Sequence, residues 1–273
     1  MKQKIISLLL TLSCALSIHA QTMKDGIDYC KGGYYDDAIA VLEKCMDSPD
    51  TDKGTAYYYL GLAELGKKDV QKAQAALSKS IENANGSSVE PLLASGALAL
   101  LNSDSKGAEG YFKKAEKQDK ESPSVLREIA RVYVMVDPVS YTSQIEQYAT
   151  KCMKKGTKGQ WAYSLIKGDL AGDTGEGAGF YEMAMNSDDN DKIEATAKYI
   201  RIFEEINPQY VIAACEQYNM YDPANHSIID FIYLKHLLKN ENYSKAKGII
   251  AKVLHYDPNN EDMKRLMEEI KSK

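Results

Sequence analysis

Nothing in this 273-residue sequence reads as a catalytic motif, a phosphate-binding loop or a basic patch. Its 34 Lys and Arg are outnumbered by 39 Asp and Glu, a formal net charge of −5, and no stretch concentrates the basic residues. A chain with no basic footprint is not built to neutralise phosphates, which excludes nucleic acid as a partner. An anionic membrane surface is disfavoured on the same ground. Past the first twenty residues no segment is apolar enough to span a bilayer, which takes ~20 residues. Histidine is scarce. His19 falls in the leader described below, and His226, His236 and His255 stand in no HExxH or carboxylate spacing, so neither a metal nor a cofactor is implied. Cys30, Cys45, Cys152 and Cys215 are too irregularly spaced for a metal or redox motif and read as small buried side chains. Two stretches imitate sites. Residues 172–179 are glycine-rich but lack the Gly-Lys-Ser/Thr ending of a phosphate loop, and read as a flexible turn between two helices. Residues 187–191 are acidic but lack the Gly and closing Glu of a calcium loop, and read as a solvated connection.

The N-terminus reads as a leader. Lys2 and Lys4 form a positive n-region, residues 5–18 an apolar core, and Ala20 a small residue for cleavage before Gln21. Residues 1–20 are therefore expected to be a signal peptide, whose loss takes the charge to −7 (32 basic against 39 acidic residues). The Ala-Gln junction is similar to that of exported proteins of Gram-negative bacteria of the Bacteroides type. The expected compartment is the periplasm, with outer-membrane association or secretion as the alternatives.

The rest of the chain repeats. Ala38 sits between a turn and an apolar helical run, and its counterparts are Ala73, Ala108 and, far downstream, Ala246. The first two steps are 35 residues, and the remaining 138 residues divide into four similar steps, with equivalents expected near Thr142, Gly177 and Val211. That implies seven repeats over residues 21–260.

This pattern resembles the tetratricopeptide repeat family, whose unit is a 34-residue pair of antiparallel helices, A then B. The family's small residue in helix A matches Gly26, Gly61, Gly96 and Ala130, and its Trp position matches Tyr57, Leu92, Leu126 and Trp161. Its large residue in helix B matches Leu42, Leu77, Phe112, Tyr181 and Ile250. The closing Asp-Pro matches Asp222-Pro223 and Asp257-Pro258. The resemblance implies an all-α fold, a right-handed α-solenoid of about seven helix pairs. The two repeats over 122–191 depart from the pattern, with Glu146 and Gly168 where apolar residues are expected.

The prolines test this register independently, since a proline inside a helix costs ~3 kcal/mol. Pro138 and Pro208 fall in A–B turns, Pro49, Pro223 and Pro258 between repeats, and Pro91 and Pro123 at the start of helix A. The ends are finished as well. Thr22 to Asp25 has the form of a capping box. Met263, Leu266, Met267 and Ile270 make one amphipathic face, so residues 261–273 are expected to form a C-terminal capping helix.

In this family helix A lines a concave groove. Carried over by position, the groove consists of Tyr58, Leu62 and Leu65, then Leu93, Ala97 and Leu100, then Arg127, Arg131 and Val134, then Thr196, Ile200 and Phe203, and finally Phe231, Lys235 and Leu238. Three successive tyrosines, Tyr57 to Tyr59, cannot all face a core, and the register turns Tyr58 outward. The candidate binding residues are Tyr58, Leu62, Leu93, Leu100, Arg127, Arg131, Phe203, Phe231 and Lys235. An apolar strip with a basic pair at its centre suits a peptide carrying an acidic group. The alternative stays open that the apolar residues pack on neighbouring helices and the arginines pair with acids such as Glu128. The resemblance implies a non-catalytic interaction scaffold that binds a protein or peptide. A solenoid binding a glycan or small molecule through exposed tyrosines is the other reading.

Overall fold

The computed structural model describes residues 22–84, 88–187, 192–221 and 227–273. The leader, Asp222, Pro223, His226 and most of the acidic run at 187–191 lie outside the described residues. Among the described residues there are fifteen helices and no strand. They form seven antiparallel pairs and a terminal helix: α1 (Met23–Gly32) with α2 (Tyr35–Cys45), α3 (Lys53–Gly66) with α4 (Val70–Glu82), α5 (Glu90–Leu101) with α6 (Ser105–Gln118), and α7 (Pro123–Val136) with α8 (Thr142–Met153). The series continues with α9 (Thr157–Ala171) and α10 (Gly175–Met185), α11 (Ile193–Phe203) and α12 (Pro208–Tyr221), α13 (Ile228–Lys239) and α14 (Tyr243–Tyr256), and then α15 (Glu261–Ile270). This is an α-solenoid of tetratricopeptide-like pairs.

Four of the pairs are held where a glycine of the A helix meets a large side chain of the B helix. A Cβ at Gly26 would lie 2.8 Å from Leu42 Cγ, at Gly61 2.7 Å from Leu77 Cγ, and at Gly96 2.2 Å from Phe112 Cε1. Hydrogen in place of a methyl lets the two ridges interlock at these crossings. Gly168 belongs to the same set, because its Cβ would lie 2.4 Å from Tyr181 Cε1. The residue that looked like a departure from the repeat is its small position.

The helix starts are written locally. Asp52, Asp69, Asp104, Ser122, Asn242 and Asn260 each accept a backbone N–H three residues on, at 2.8–3.3 Å. Thr22 and Asp25 make the expected capping box. No described proline sits inside a helix beyond its first two positions, and α7 and α11 end before Pro138 and Pro208.

Two expectations need correction. Thr142 is exposed at the start of α8, and Ile145, one turn later, takes the buried position equivalent to Ala108. Residues 172–179 are a turn only as far as Thr174, whose hydroxyl accepts from the Gly177 N–H at 3.1 Å and starts α10 at Gly175.

The solenoid turns back on itself. Helix α1 packs against α11 and α13, and α3 reaches α7 across the interior. Gly32 is the closest approach, since a Cβ there would lie 2.7 Å from Ala197 Cβ. Around it, the Tyr34 hydroxyl donates to Glu204 at 2.7 Å and Lys235 reaches Asp37 at 3.1 Å. The A helices thus form the interior of a ring. Helix α7 is its hub, buried at every position from Val125 to Tyr133, as a helix packed on all sides must be.

Candidate functional site

The nine candidate binding residues do not line an open groove. Tyr58, Leu62, Leu93, Leu100, Arg127, Arg131 and Phe231 are buried, and Phe203 and Lys235 are half-buried. They lie on the A helices, most of them packed against neighbouring helices. What the register could not show is that the opposite wall of the groove is another A helix of the same chain. Tyr58, which the register turned outward, is fully buried, and Tyr57 is the partly exposed member of the triplet, beneath the Lys79 ammonium at 5.3 Å. Phe203 stacks between Tyr199 and Tyr210, with ring centroids 4.9 and 4.8 Å away. Lys235 is tied to Asp37.

The basic pair is consumed internally. Arg127 and Arg131 are four apart on α7 and share a face, as helix geometry requires. Arg127 Nη2 donates to Asp169 of α9 at 2.6 Å and to Glu194 of α11 at 2.5 Å. Arg131 donates to Glu194 at 2.8 Å and to Glu128 at 3.1 and 3.2 Å. Lys198 of α11 reaches Asp169 at 2.8 Å, and the Tyr181 hydroxyl donates to the same carboxylate at 2.9 Å. Three carboxylates and three cations thus neutralise one another in the middle of the ring. The pairing with Glu128 that the sequence left open is present.

Burial and charge work against each other here. Burial by itself would push the Glu194 carboxyl up, but the combined attraction of Arg127, Arg131 and Lys198 outweighs it and holds the pKa at about 2. Asp169 is held below the ordinary carboxylate range by the same contest, with Arg127 and Lys198 the main attractions against burial. Glu128 is also lowered, burial being overcome by Arg131 and Lys31. The carboxylates stay ionised, so the cluster is a set of ion pairs and not a proton store.

Two cavities open beside this cluster on the inner side, a small one of about 110 Å³ against Leu62, Arg131, Asp169 and Lys198 and a larger one of about 360 Å³ at the other end. Six inner helices contribute to the larger: Asp28 and Lys31 from α1, Tyr59 from α3, Glu90 from α5, Arg127 and Glu128 from α7, Trp161 from α9 and Glu194 from α11. Asp119, the residue that ends α6, completes the rim. Lys31 projects into this space, with its ammonium 5.5 Å from the centre of the Tyr59 ring and 3.5 Å from Glu128. Arg127 lies at the inner wall and is 1% exposed, and its Nε and Nη1 have no acceptor among the described residues. Among the described residues no group of His, Cys, Asp and Glu is arranged to hold a metal ion, and no helix is long and apolar enough to cross a membrane.

Sequence reasoning missed most of this cavity. Trp161 was matched only to the family's Trp position, and Asp28, Lys31, Glu90, Asp119 and Glu194 were not singled out. One signal was available. The A helices of repeats four to six carry Arg127, Glu128, Arg131, Asp169, Glu194 and Lys198 at otherwise inward positions, three of each sign. Balanced charge on buried faces marks an internal cluster and not a ligand strip.

No family model matches the chain, and no curated protein matches it. Among solved structures, one described as "Functional Characterization of Pseudomonas Aeruginosa pilF" is similar over 80% of this chain and 97% of that one, at 13% identity and a TM-score of 0.34. At that score the likeness carries no argument about this chain.

Proposed function

We propose that this protein is a non-catalytic interaction scaffold, exported to the periplasm of a Bacteroides-type bacterium, that binds a protein or peptide at the inner side of its ring of A helices. One observation carries the reading. The cavity at the hub gathers side chains from six helices of six different repeats, and it stands where the solenoid's concave face would otherwise be closed. Clefts assembled from separate elements, with aromatic walls and a few polar groups, are the usual form of a binding site. The described ionisable groups there are paired acids and bases, or carboxylates that accept from serine hydroxyls with no histidine beside them, an arrangement suited to recognition. The glycan reading has less to work with. The exposed tyrosines Tyr111, Tyr210, Tyr221 and Tyr256 lie on the outer helices α6, α12 and α14, away from the cavity.

A photo-crosslinking residue placed at Ser124, exposed on the cavity rim, tests the site in the native envelope. It should capture a specific protein band that the same residue at Lys113, exposed on outer helix α6, does not. Capture at Lys113 alone would move the site to the convex face.

A further inference from the structure

The groove was expected to take an acidic group because of Arg127 and Arg131. With both arginines neutralised inside the fold, the sign of the open surface reverses. The cavity is lined by five carboxylates and two cations: Asp28, Glu90, Asp119, Glu128 and Glu194 against Lys31 and Arg127. Glu128 and Glu194 are paired with Arg131 and Arg127, and Asp28 with Lys24 at 2.6 Å. Glu90 and Asp119 are different. Each accepts from a serine hydroxyl, Ser88 and Ser122 respectively. Neither has a cationic partner among the described residues.

The cavity already accepts one ammonium. Lys31 lies over the Tyr59 ring and against Glu128, the combination of aromatic face and carboxylate that favours a desolvated cation. Trp161 offers a second aromatic wall, and Glu90 and Asp119 a second pair of carboxylates. An anionic segment would meet like charge at Glu90 and Asp119. The wall makes a further demand. Arg127 has two nitrogens, Nε and Nη1, without acceptors among the described residues, which is costly for a buried guanidinium. An oxygen acceptor would relieve it once the Arg127 side chain shifts towards the cavity, and a peptide backbone carries one at every residue, whereas a polyamine has none.

We propose that the hub cavity receives a lysine or arginine side chain of an extended peptide segment, its charge held by Glu90 and Asp119 between Tyr59 and Trp161. The proposal rests on the hub being the binding site and adds the sign and chemistry of what enters it.

Trp161 is the protein's one tryptophan, so its emission reports on the cavity alone. The probes are blocked alanine pentapeptides with lysine, arginine, norleucine or glutamate at the centre, together with spermidine, titrated into the full chain. The lysine or arginine peptide should change Trp161 emission saturably, while the norleucine and glutamate peptides do not. Raising the salt from about 0.05 M to about 0.5 M should weaken the effect. The double variant Glu90→Gln with Asp119→Asn, both at positions that are not buried, should keep the native helical spectrum and bind roughly tenfold more weakly. The proposal fails if no basic peptide changes the emission, if the glutamate peptide binds as well, or if the double variant binds unchanged. Spermidine binding as tightly as the peptides would also overturn it, in favour of a small-amine site. None of these failures touches the crosslinking result at Ser124, so a hub that binds a neutral or acidic partner segment would be recognised as such.

Discussion

A guanidinium removed from water must find its carboxylates inside the fold, or the charge is too expensive to bury. Arg127 and Arg131 find Asp169, Glu194 and Glu128, and Glu194 is the member both arginines share. Replacing Glu194 with Gln would leave two buried cations short of a counter-charge. The expected cost is about 3–5 kcal/mol, read as a lower urea midpoint at unchanged slope. The cluster also sets the acid limb of stability. Glu194 has a folded pKa of about 2, and Asp169 and Glu128 are lowered as well, whereas unfolded carboxylates titrate near ~4. The unfolded chain therefore takes up protons first as the pH falls. The cluster's contribution is fully present above roughly pH 5 and is lost progressively as the pH passes through ~4 towards ~2. Urea midpoints measured across that range should fall steeply for the native chain. For Glu194→Gln, already deprived of the shared carboxylate, they should fall less.

At the scale of helices, two glycines of one pair should respond with opposite signs. Gly96 of α5 has Phe112 against it, and a methyl there would lie 2.2 Å from a ring carbon. Gly96→Ala should therefore force the ring aside and cost about 1–3 kcal/mol. Gly110 of α6 faces open space, with nothing within 4 Å of its Cβ direction. Gly110→Ala should gain about 0.5–1 kcal/mol from helix propensity alone. Ala108, also on α6 and fully buried, should lose about 1–3 kcal/mol on replacement with Leu. Thermal midpoints of the three variants check all of these. The elements were the legible part of the sequence because their signals are local. Asp104 before Gly107 or Ser122 before Val125 writes a helix start within four residues, and each glycine–large residue crossing recurs at a spacing the repeat fixes. Thr142 was misread for a local reason too. The turn after α7 is longer than in the neighbouring repeats, which moves the buried position on to Ile145.

The whole molecule was less legible, because closure brings together residues far apart in the chain. A small residue on the inner face of an A helix reads the same whether it faces a ligand, water or a sixth repeat. Gly32 faces the sixth repeat, with its Cβ direction 2.7 Å from Ala197. That contact, with Tyr34–Glu204 and Lys235–Asp37 beside it, joins repeat one to repeats six and seven. A leucine at Gly32 cannot fit there unless α1 separates from α11. The rest of the chain keeps its nearest-neighbour contacts, because each repeat of a solenoid depends mainly on the next. Gly32→Leu should therefore open the seam without unfolding the array. Amide exchange should accelerate across α1 and α11 while α5 and α6 stay protected, and the radius of gyration from solution scattering should increase. The inner faces of the A helices, Tyr58 and Leu62 among them, would then meet water, and an environment-sensitive dye should bind the variant more than the native chain. Uniform loss of protection across all repeats would show instead that the ring folds as one unit and that closure is part of its core.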